Sequence, residues 1–330
     1  MPLGKKLPIV FLALVAAGYA LRPFEDALRR DFESAQLLYQ PLDLNTREEI
    51  GQVSFAVTLG GLRSLVASMM NITGVQKAWR EQDWFEIEDQ FQTIVTLQPR
   101  TRYYWQEAKQ HLALNAWADY SDRPGLTAEQ RKARQEEALR KGREFLERGM
   151  KALPDDWHLV YDLAYLWENP HRPPNDLPAA AEAYRSALTL PGAPKYLERR
   201  LFYVLSRLPD GREEAYQLSR ELLADEDHRT IPSVQSQAFA LQQEFAPEEG
   251  QMPLEKLFGS RGRALEQLSY YWRRRSEGYP MTGVAETIGK LLAEFDVPAE
   301  FSPLRERAPD EPRWFGFPEE IIDRLHSENP

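Results

Sequence analysis

Residues that could perform acid–base or metal chemistry are dispersed along this 330-residue chain. The histidines are His111, His158, His171, His228 and His326. None has a second histidine four residues later, the spacing with which one helix face binds zinc. The absence of cysteine excludes disulfides, thiol catalysis, cysteine-ligated zinc and iron–sulfur clusters. We therefore predict no metal ion, no cofactor and no catalytic residue.

Motifs for covalent or phosphate chemistry are also missing. The sequence contains no G-x-x-x-x-G-K-[ST] or G-x-G-x-x-G phosphate loop and no G-x-S-x-G serine turn. Adjacent carboxylates such as Asp155-Asp156 are expected by chance among 51 acidic residues. Two catalytic carboxylates could still meet from distant helices, as in all-α enzymes that act on polysaccharides, but no motif marks such a pair.

Aromatic and basic side chains are dense in one stretch, Tyr270-Tyr271-Trp272-Arg273-Arg274-Arg275. On a helix they point in all directions, so we expect the rings to pack and the arginines to be solvated. Contact with anionic lipid or an acidic partner is the alternative. Elsewhere, His171 and Arg172 share a proline-rich loop, in which we expect a surface histidine rather than a binding residue.

Composition bounds the class of protein. A hydrophobic fraction of 42% is enough for a packed core, which excludes wholesale disorder. A net charge of −10 argues against nucleic-acid binding, because that function needs a basic surface.

The amino terminus has the pattern of an export signal. Lys5 and Lys6 precede an apolar run from Leu7 to Leu21, which Arg22 ends. Fifteen helical residues span about 22 Å, less than the roughly 30 Å hydrocarbon layer. The run is consistent with an uncleaved signal anchor, a signal peptide cut after Ala20, or a buried helix. We favour the anchor, with the protein in the inner membrane, residues 7–21 as its single span, and the rest on the extracytoplasmic side.

A second apolar run extends from Val53 to Met70. Arg63 and the pair Gly60-Gly61 favour a segment that packs in the protein over a second span.

From about residue 63 to residue 296 the sequence predicts helices. Apolar residues recur at steps of three and four, as in Trp157, Val160, Tyr161 and Ala164. Proline and glycine clusters separate the segments, and no alternating strand pattern occurs. Thr127 and Gln130 form a capping box that predicts a helix running to about Leu153. The fold class is therefore all-α.

Several segments resemble the tetratricopeptide repeat (TPR), a helix–turn–helix unit of 34 residues. With Pro154 as the closing proline, Gly142, Leu146 and Gly149 occupy the small, bulky and small positions of the second helix. The preceding Trp105 fits the aromatic position, whereas Lys109 stands where a small residue belongs. In the next unit the matching residues are Ala164, Ala180, Tyr184 and Ala187. A first hairpin, with Ile87 and Ile94 at small positions, and later hairpins match less well.

A closer resemblance is to a bacterial group of membrane-anchored repeat proteins. It rests on Leu59-Gly60-Gly61-Leu62-Arg63 at the opening of the first unit and on the turn Leu190-Pro191-Gly192-Ala193-Pro194. The resemblance covers about residues 50–205 and the apolar terminus. It implies a right-handed α-solenoid of helical hairpins with an amino-terminal transmembrane or signal helix, and no settled biochemical activity.

Four segments follow from these patterns. They are the anchor or signal segment (1–22), a juxtamembrane segment (23–52), a TPR-like helical-repeat domain (53–296) and a proline-rich tail (297–330). In the tail, Trp314-Phe315-Gly316-Phe317 with Ile321 and Ile322 is apolar enough to dock on the repeats or to engage a partner.

The predicted function is that of a non-catalytic scaffold whose concave wall binds a protein or peptide partner. Candidate wall residues come from the first helix of each hairpin: Tyr104, Gln106, Lys109, Asn115, Tyr161, Tyr165, Arg199 and Tyr203. The alternative is a structural subunit of a membrane or envelope complex. An enzyme that acts on polysaccharide is the third possibility.

Overall fold

A computed structural model describes residues 62–169, 172–306 and 314–327. The predicted anchor, the juxtamembrane segment and His171 lie outside these residues. Within the described part every regular element is a helix, so the all-α prediction is confirmed there. No helix in those ranges is both long enough and apolar enough to cross a membrane.

The chain divides into two compact units between Thr101 and Arg102. This boundary falls inside the predicted repeat domain of residues 53–296. The second unit also continues beyond residue 296 and includes the described part of the predicted tail.

The first unit contains α1 (Arg63–Met69), a π-helical segment (Met70–Val75), α2 (Gln76–Glu81) and α3 (Trp84–Leu97). Asp83 caps α3 by accepting a hydrogen bond of 3.0 Å from the backbone N–H of Glu86. Helix α3 packs against α1 and the π-helical segment. Ile87 and Ile94, which depart from the repeat pattern, are fully buried at 0% exposure and belong to the core.

The second unit is a succession of helices, most of which pack against their neighbours in sequence. They are α4 (Arg102–Lys109), α5 (Ala116–Asp122), α6 (Ala128–Ala152), α7 (Trp157–Glu168), α8 (Leu177–Leu188), α9 (Tyr196–Arg207), α10 (Arg212–Ala224), α11 (Pro232–Phe245), α12 (Leu254–Phe258), α13 (Arg261–Trp272), α14 (Val284–Glu294) and α15 (Glu319–Ser327). A second π-helical segment, Gln110–Asn115, joins α4 to α5.

Helix α6 begins as the sequence predicts. The Thr127 hydroxyl accepts from the Gln130 N–H at 3.2 Å, and the Gln130 amide oxygen accepts from the Thr127 N–H at 3.0 Å. Both bonds of the capping box are therefore present.

Two glycines let α6 lie close to its neighbours. A Cβ at position 142 would lie 3.2 Å from the backbone nitrogen and 3.3 Å from the Cα of Ala113. A Cβ at position 149 would lie 2.9 Å from the Trp105 ring and 3.1 Å from Leu159. The small residues that the repeat pattern places at 142 and 149 thus have the packing role predicted for them.

Helix α8 also follows the pattern. Ala180, Tyr184 and Ala187 are fully buried in the core that α8 shares with α7, α9 and α10. Helix α11 differs, because all residues from Val234 to Gln242 are buried. Several of its polar side chains form hydrogen bonds with other parts of the protein, for example Gln237, whose amide oxygen accepts from the Ser206 hydroxyl at 2.6 Å.

The described part of the tail docks on the last helices. Trp314, Phe317, Ile321 and Leu325 are buried in a core with α13 and α14. The Trp314 indole N–H donates to the Phe301 carbonyl at 2.8 Å. The docking alternative for the tail is therefore the one that the structure shows.

Candidate functional site

A polar cleft of about 480 Å³ lies in the second unit. Its basic lining residues are Arg172, Arg200, Arg207 and Arg274. Its aromatic lining residues are Trp117, Tyr165, Tyr203 and Tyr279. Glu168, Asn169 and Glu277 complete the wall. We call this site the arginine cleft.

The helices place these side chains by their periodicity. Arg200, Tyr203 and Arg207 follow one another at three and four residues along α9, so they share one face. Tyr165 and Glu168 are three residues apart at the end of α7. Apart from Trp117 of α5, the remaining lining residues come from the segments that follow α7 and α13.

Two of the four guanidinium groups are paired with carboxylates of the cleft. Arg200 forms an ion pair with Glu168, whose side chain is almost wholly buried. Arg274 bonds to the Glu277 carboxylate at 2.8 Å and to the Tyr279 hydroxyl at 2.9 Å. Burial is the largest single influence and would lower the pKa of Arg274, but the hydrogen bonds that it donates to Glu277 and Tyr279 and the charges of these two groups together raise that pKa overall. In each pair one arginine of the wall is balanced by one carboxylate.

Arg207 is held by carbonyl groups instead of a carboxylate. Its Nε donates to the Glu277 backbone oxygen at 3.2 Å, and its Nη1 donates to the Glu168 backbone oxygen at 3.1 Å. Its guanidinium also lies 5.6 Å from the centroid of the Tyr279 ring. These contacts fix the group while leaving its positive charge without a carboxylate partner among the described residues.

Arg172 lines the cleft beside Trp117. Its guanidinium carbon is 5.5 Å from the centroid of the Trp117 ring, within cation–π range. Its buried Nε and the buried indole nitrogen of Trp117 have no hydrogen-bond acceptor among the described residues. Among the residues that the structure describes, the cleft therefore contains two cations, Arg172 and Arg207, that have no carboxylate partner.

Tyr203 links the cleft to the core. Its hydroxyl is 2.5 Å from the Ser233 hydroxyl. Burial raises the pKa of Tyr203 despite this bond and the nearby Arg199. The phenol is thus neutral at physiological pH. Its ring lines the cleft, and its hydroxyl is held by the hydrogen bond with Ser233.

Two of the eight predicted wall residues, Tyr165 and Tyr203, lie in the arginine cleft. Gln106 and Lys109 meet elsewhere, on the carboxylate of Asp162, at 2.8 Å and 3.0 Å. Lys109 and Tyr104 are buried, with 8% and 7% of their surface exposed. Binding by these residues stays a prediction.

The other predicted wall residues have different neighbours. Asn115 bonds within the π-helical segment, accepting from Gln110 at 3.2 Å. Tyr161 packs in an aromatic cluster with Trp157, Tyr184 and Tyr196 at centroid distances of 6.0–6.4 Å. Arg199 is half-buried on α9 and does not line the cleft.

Sequence reasoning missed the arginines. Arg274 was expected to be solvated, but the turn after α13 directs it to Glu277 and Tyr279. Arg172 was named only as a neighbour of His171. A signal did exist for α9, because Arg200, Tyr203 and Arg207 lie at helical spacing, whereas the contributions of the two loops depend on tertiary packing.

Histidine, aspartate and glutamate form no cluster suited to a metal ion within the part of the chain that the structure describes.

Comparison with known proteins gives no match to a family model, to a curated protein or to a solved structure.

Proposed function

We propose that this protein is a non-catalytic, TPR-like scaffold that binds a protein or peptide partner at the arginine cleft. In this proposal residues 7–21 anchor the chain in the inner membrane, and the helical hairpins form a right-handed α-solenoid on the extracytoplasmic side. The amino-terminal pattern and the repeat-like spacing of small residues support the location and the architecture.

The observation that carries the binding role is the composition of the cleft. Arginine, tyrosine and tryptophan make up eight of its eleven lining residues, and these are the types enriched in the energetic centres of protein interfaces. Each ring offers a large apolar surface with few rotatable bonds, so little conformational entropy is lost on binding. Side chains of α7 and α9 hold the cleft in place through the Arg200–Glu168 ion pair before any partner arrives.

Site-specific cross-linking tests this role in the full-length protein in its native membrane. A photoreactive phenylalanine analogue replaces Tyr165, which lines the cleft, and in a second variant it replaces Phe245. Phe245 is an aromatic residue of α11 with 38% exposure that lies outside the cleft, so it serves as the control.

The expected result is a discrete cross-linked protein from position 165 that is absent from position 245. If neither position forms a cross-link to another protein, the proposed function is overturned. A stable complex that cross-links only through position 245 would instead support the structural-subunit alternative, in which outer helix faces are buried by assembly.

A further inference from the structure

We infer that the arginine cleft recognises neighbouring carboxylates of an acidic segment in the partner, with Arg172 and Arg207 as the groups that bind them. This inference rests on the proposed function, since it names the chemistry of the partner at the same site. It concerns residues of the second unit only.

The charge of the cleft indicates that its ligand is negatively charged. Four arginines and two glutamates line it, which leaves a local charge of +2 in a chain whose net charge is −10. Glu168 and Glu277 each neutralise one arginine, so the excess resides on Arg172 and Arg207. Two unbalanced cations in one concave site favour a ligand with two negative charges.

Arg207 is prepared for this role by its carbonyl contacts. A guanidinium has five N–H donors, and the bonds to the carbonyls of Glu168 and Glu277 use one donor on Nε and one on Nη1. The remaining donors form a planar fork that matches the two oxygens of a carboxylate. Because the fork is already oriented, binding costs less side-chain entropy than it would for a free arginine.

Arg172 adds a second cation beside an aromatic plane. The Trp117 ring lies under its guanidinium and limits the positions that the group can take. The buried Nε of Arg172 and the indole N–H of Trp117 both lack an acceptor within the described ranges. Unpaired buried donors are uncommon in folded proteins, and a ligand that brings oxygen acceptors to this end of the cleft is one physical reason for them.

Carboxylates fit the cleft better than phosphate does. Phosphate sites commonly use backbone N–H groups at a helix N-terminus. Here Glu168 is the last residue of α7 and Arg207 is the last residue of α9, so both helices approach the cleft with their C-terminal ends. Helix C-termini carry partial negative charge, which disfavours a compact dianion more than two separated carboxylates.

The aromatic wall fits the rest of an acidic segment. Tyr165 and Tyr203, which are partly exposed, offer apolar faces to the methylene groups of glutamate side chains. A volume of about 480 Å³ accommodates one or two side chains rather than a folded surface. The segment that we propose is therefore short and extended, with two acidic side chains inserted.

Binding of a defined peptide tests the inference with the full-length protein in mild detergent. The probes are a blocked tetraglutamate peptide, a blocked tetraglutamine peptide and inorganic phosphate, each titrated by calorimetry at low salt. We expect tetraglutamate to bind, tetraglutamine not to bind, and the tetraglutamate affinity to fall as salt rises.

Four variants assign the binding to individual charges. Arg172→Gln and Arg207→Gln should each weaken tetraglutamate binding about tenfold or more, as for the loss of a charge-assisted hydrogen bond. Glu277→Gln should strengthen it severalfold, because it leaves Arg274 without its carboxylate while keeping the backbone carbonyl that holds Arg207. Arg185→Gln is the control, since Arg185 is paired with Glu214 outside the cleft, and it should change the affinity less than about twofold.

Several results would overturn the inference. Equal affinity for tetraglutamate and tetraglutamine, no binding of either, or no loss in Arg172→Gln would each do so. Phosphate that binds more tightly than tetraglutamate and depends on the same arginines would replace carboxylate with phosphate as the ligand. If position 165 still cross-links a protein while these arginine variants bind tetraglutamate normally, the scaffold proposal stands and the carboxylate inference fails.

Discussion

Adding one methyl group at Gly142 should destabilise the protein, although alanine is the better helix former. A Cβ there would collide with the Cβ of Ala113 and lie 3.2 Å from the backbone nitrogen of that residue, so the obstacle is a methyl group and the main chain behind it rather than the movable end of a long side chain. Overpacking of a tight contact costs about 1–3 kcal/mol. Replacing glycine within a helix returns about 1 kcal/mol. We therefore expect Gly142→Ala to lower the free energy of unfolding by about 1 kcal/mol.

Gly289 provides a matched control for this substitution. It lies within α14, and a Cβ at its position has nothing within 4 Å. Gly289→Ala therefore gains the helix propensity without the contact and should stabilise the protein by up to about 1 kcal/mol. The two variants should differ by about 2 kcal/mol, or about 4–8 °C in the midpoint of thermal unfolding for a unit of the size of Arg102–Pro330, which contains both glycines.

Thermal and urea unfolding of the full-length protein in detergent, followed by circular dichroism, measure this difference. The double variant Gly142→Ala with Ala113→Gly removes the opposing methyl and should recover part of the loss, which identifies the contact itself. If Gly142→Ala unfolds at or above the temperature of both the parent protein and Gly289→Ala, the close approach of α6 to Ala113 is not a constraint and the packing argument is refuted.

Three further substitutions test other parts of the fold. Thr127→Ala removes the capping box of α6 and should cost about 1 kcal/mol in urea unfolding, whereas Thr127→Ser should be near neutral; equal losses would contradict the capping role. Trp314→Ala should cost about 3–5 kcal/mol because Trp314 is 8% exposed, whereas Phe315→Ala, at 69% exposed, should cost much less; similar midpoints would mean that the tail does not dock. Burial lowers the pKa of His111 from its ordinary value of 6.5, so the unfolded chain takes up a proton more readily. Stability should therefore be full above about pH 6.5 and decline as the pH falls below it, and His111→Gln should flatten this profile between pH 8 and pH 5.

The helices and several of their contacts could be predicted because they follow from local sequence. Thr127 and Gln130 mark the start of α6 through short-range bonds, and the glycines at 142 and 149 mark close packing through their size. Lys109 departs from the repeat pattern, and the small residue that faces Gly142 is instead Ala113. Ala113 lies in the π-helical segment, where the spacing of an α-helix does not apply. Helix α11 has little apolar periodicity because it is buried all round.

Only some residues of the arginine cleft could be predicted from the sequence. Tyr165 and Tyr203 were identified because they lie on helix faces that a periodic pattern indicates. Arg172 and Arg274 reach the cleft from segments outside regular helices, where the direction of a side chain depends on contacts between residues far apart in the chain. The net charge of −10 does not indicate the site, because the acidic residues elsewhere in the chain outnumber the basic ones and the local charge of +2 does not appear in the total.

The π-helical segment Gln110–Asn115 accommodates one extra residue without changing the rotational phase of the helix that carries Trp117. Each residue of an α-helix turns the chain by about 100°, and a π turn contains one residue more than an α turn. Loss of a single codon between 110 and 115 would therefore convert the segment to an unbroken α-helix and leave Trp117 on the wall of the cleft. The same loss within α9, between Tyr203 and Arg207, has no π turn to absorb it and would turn Arg207 away from the face that it shares with Arg200.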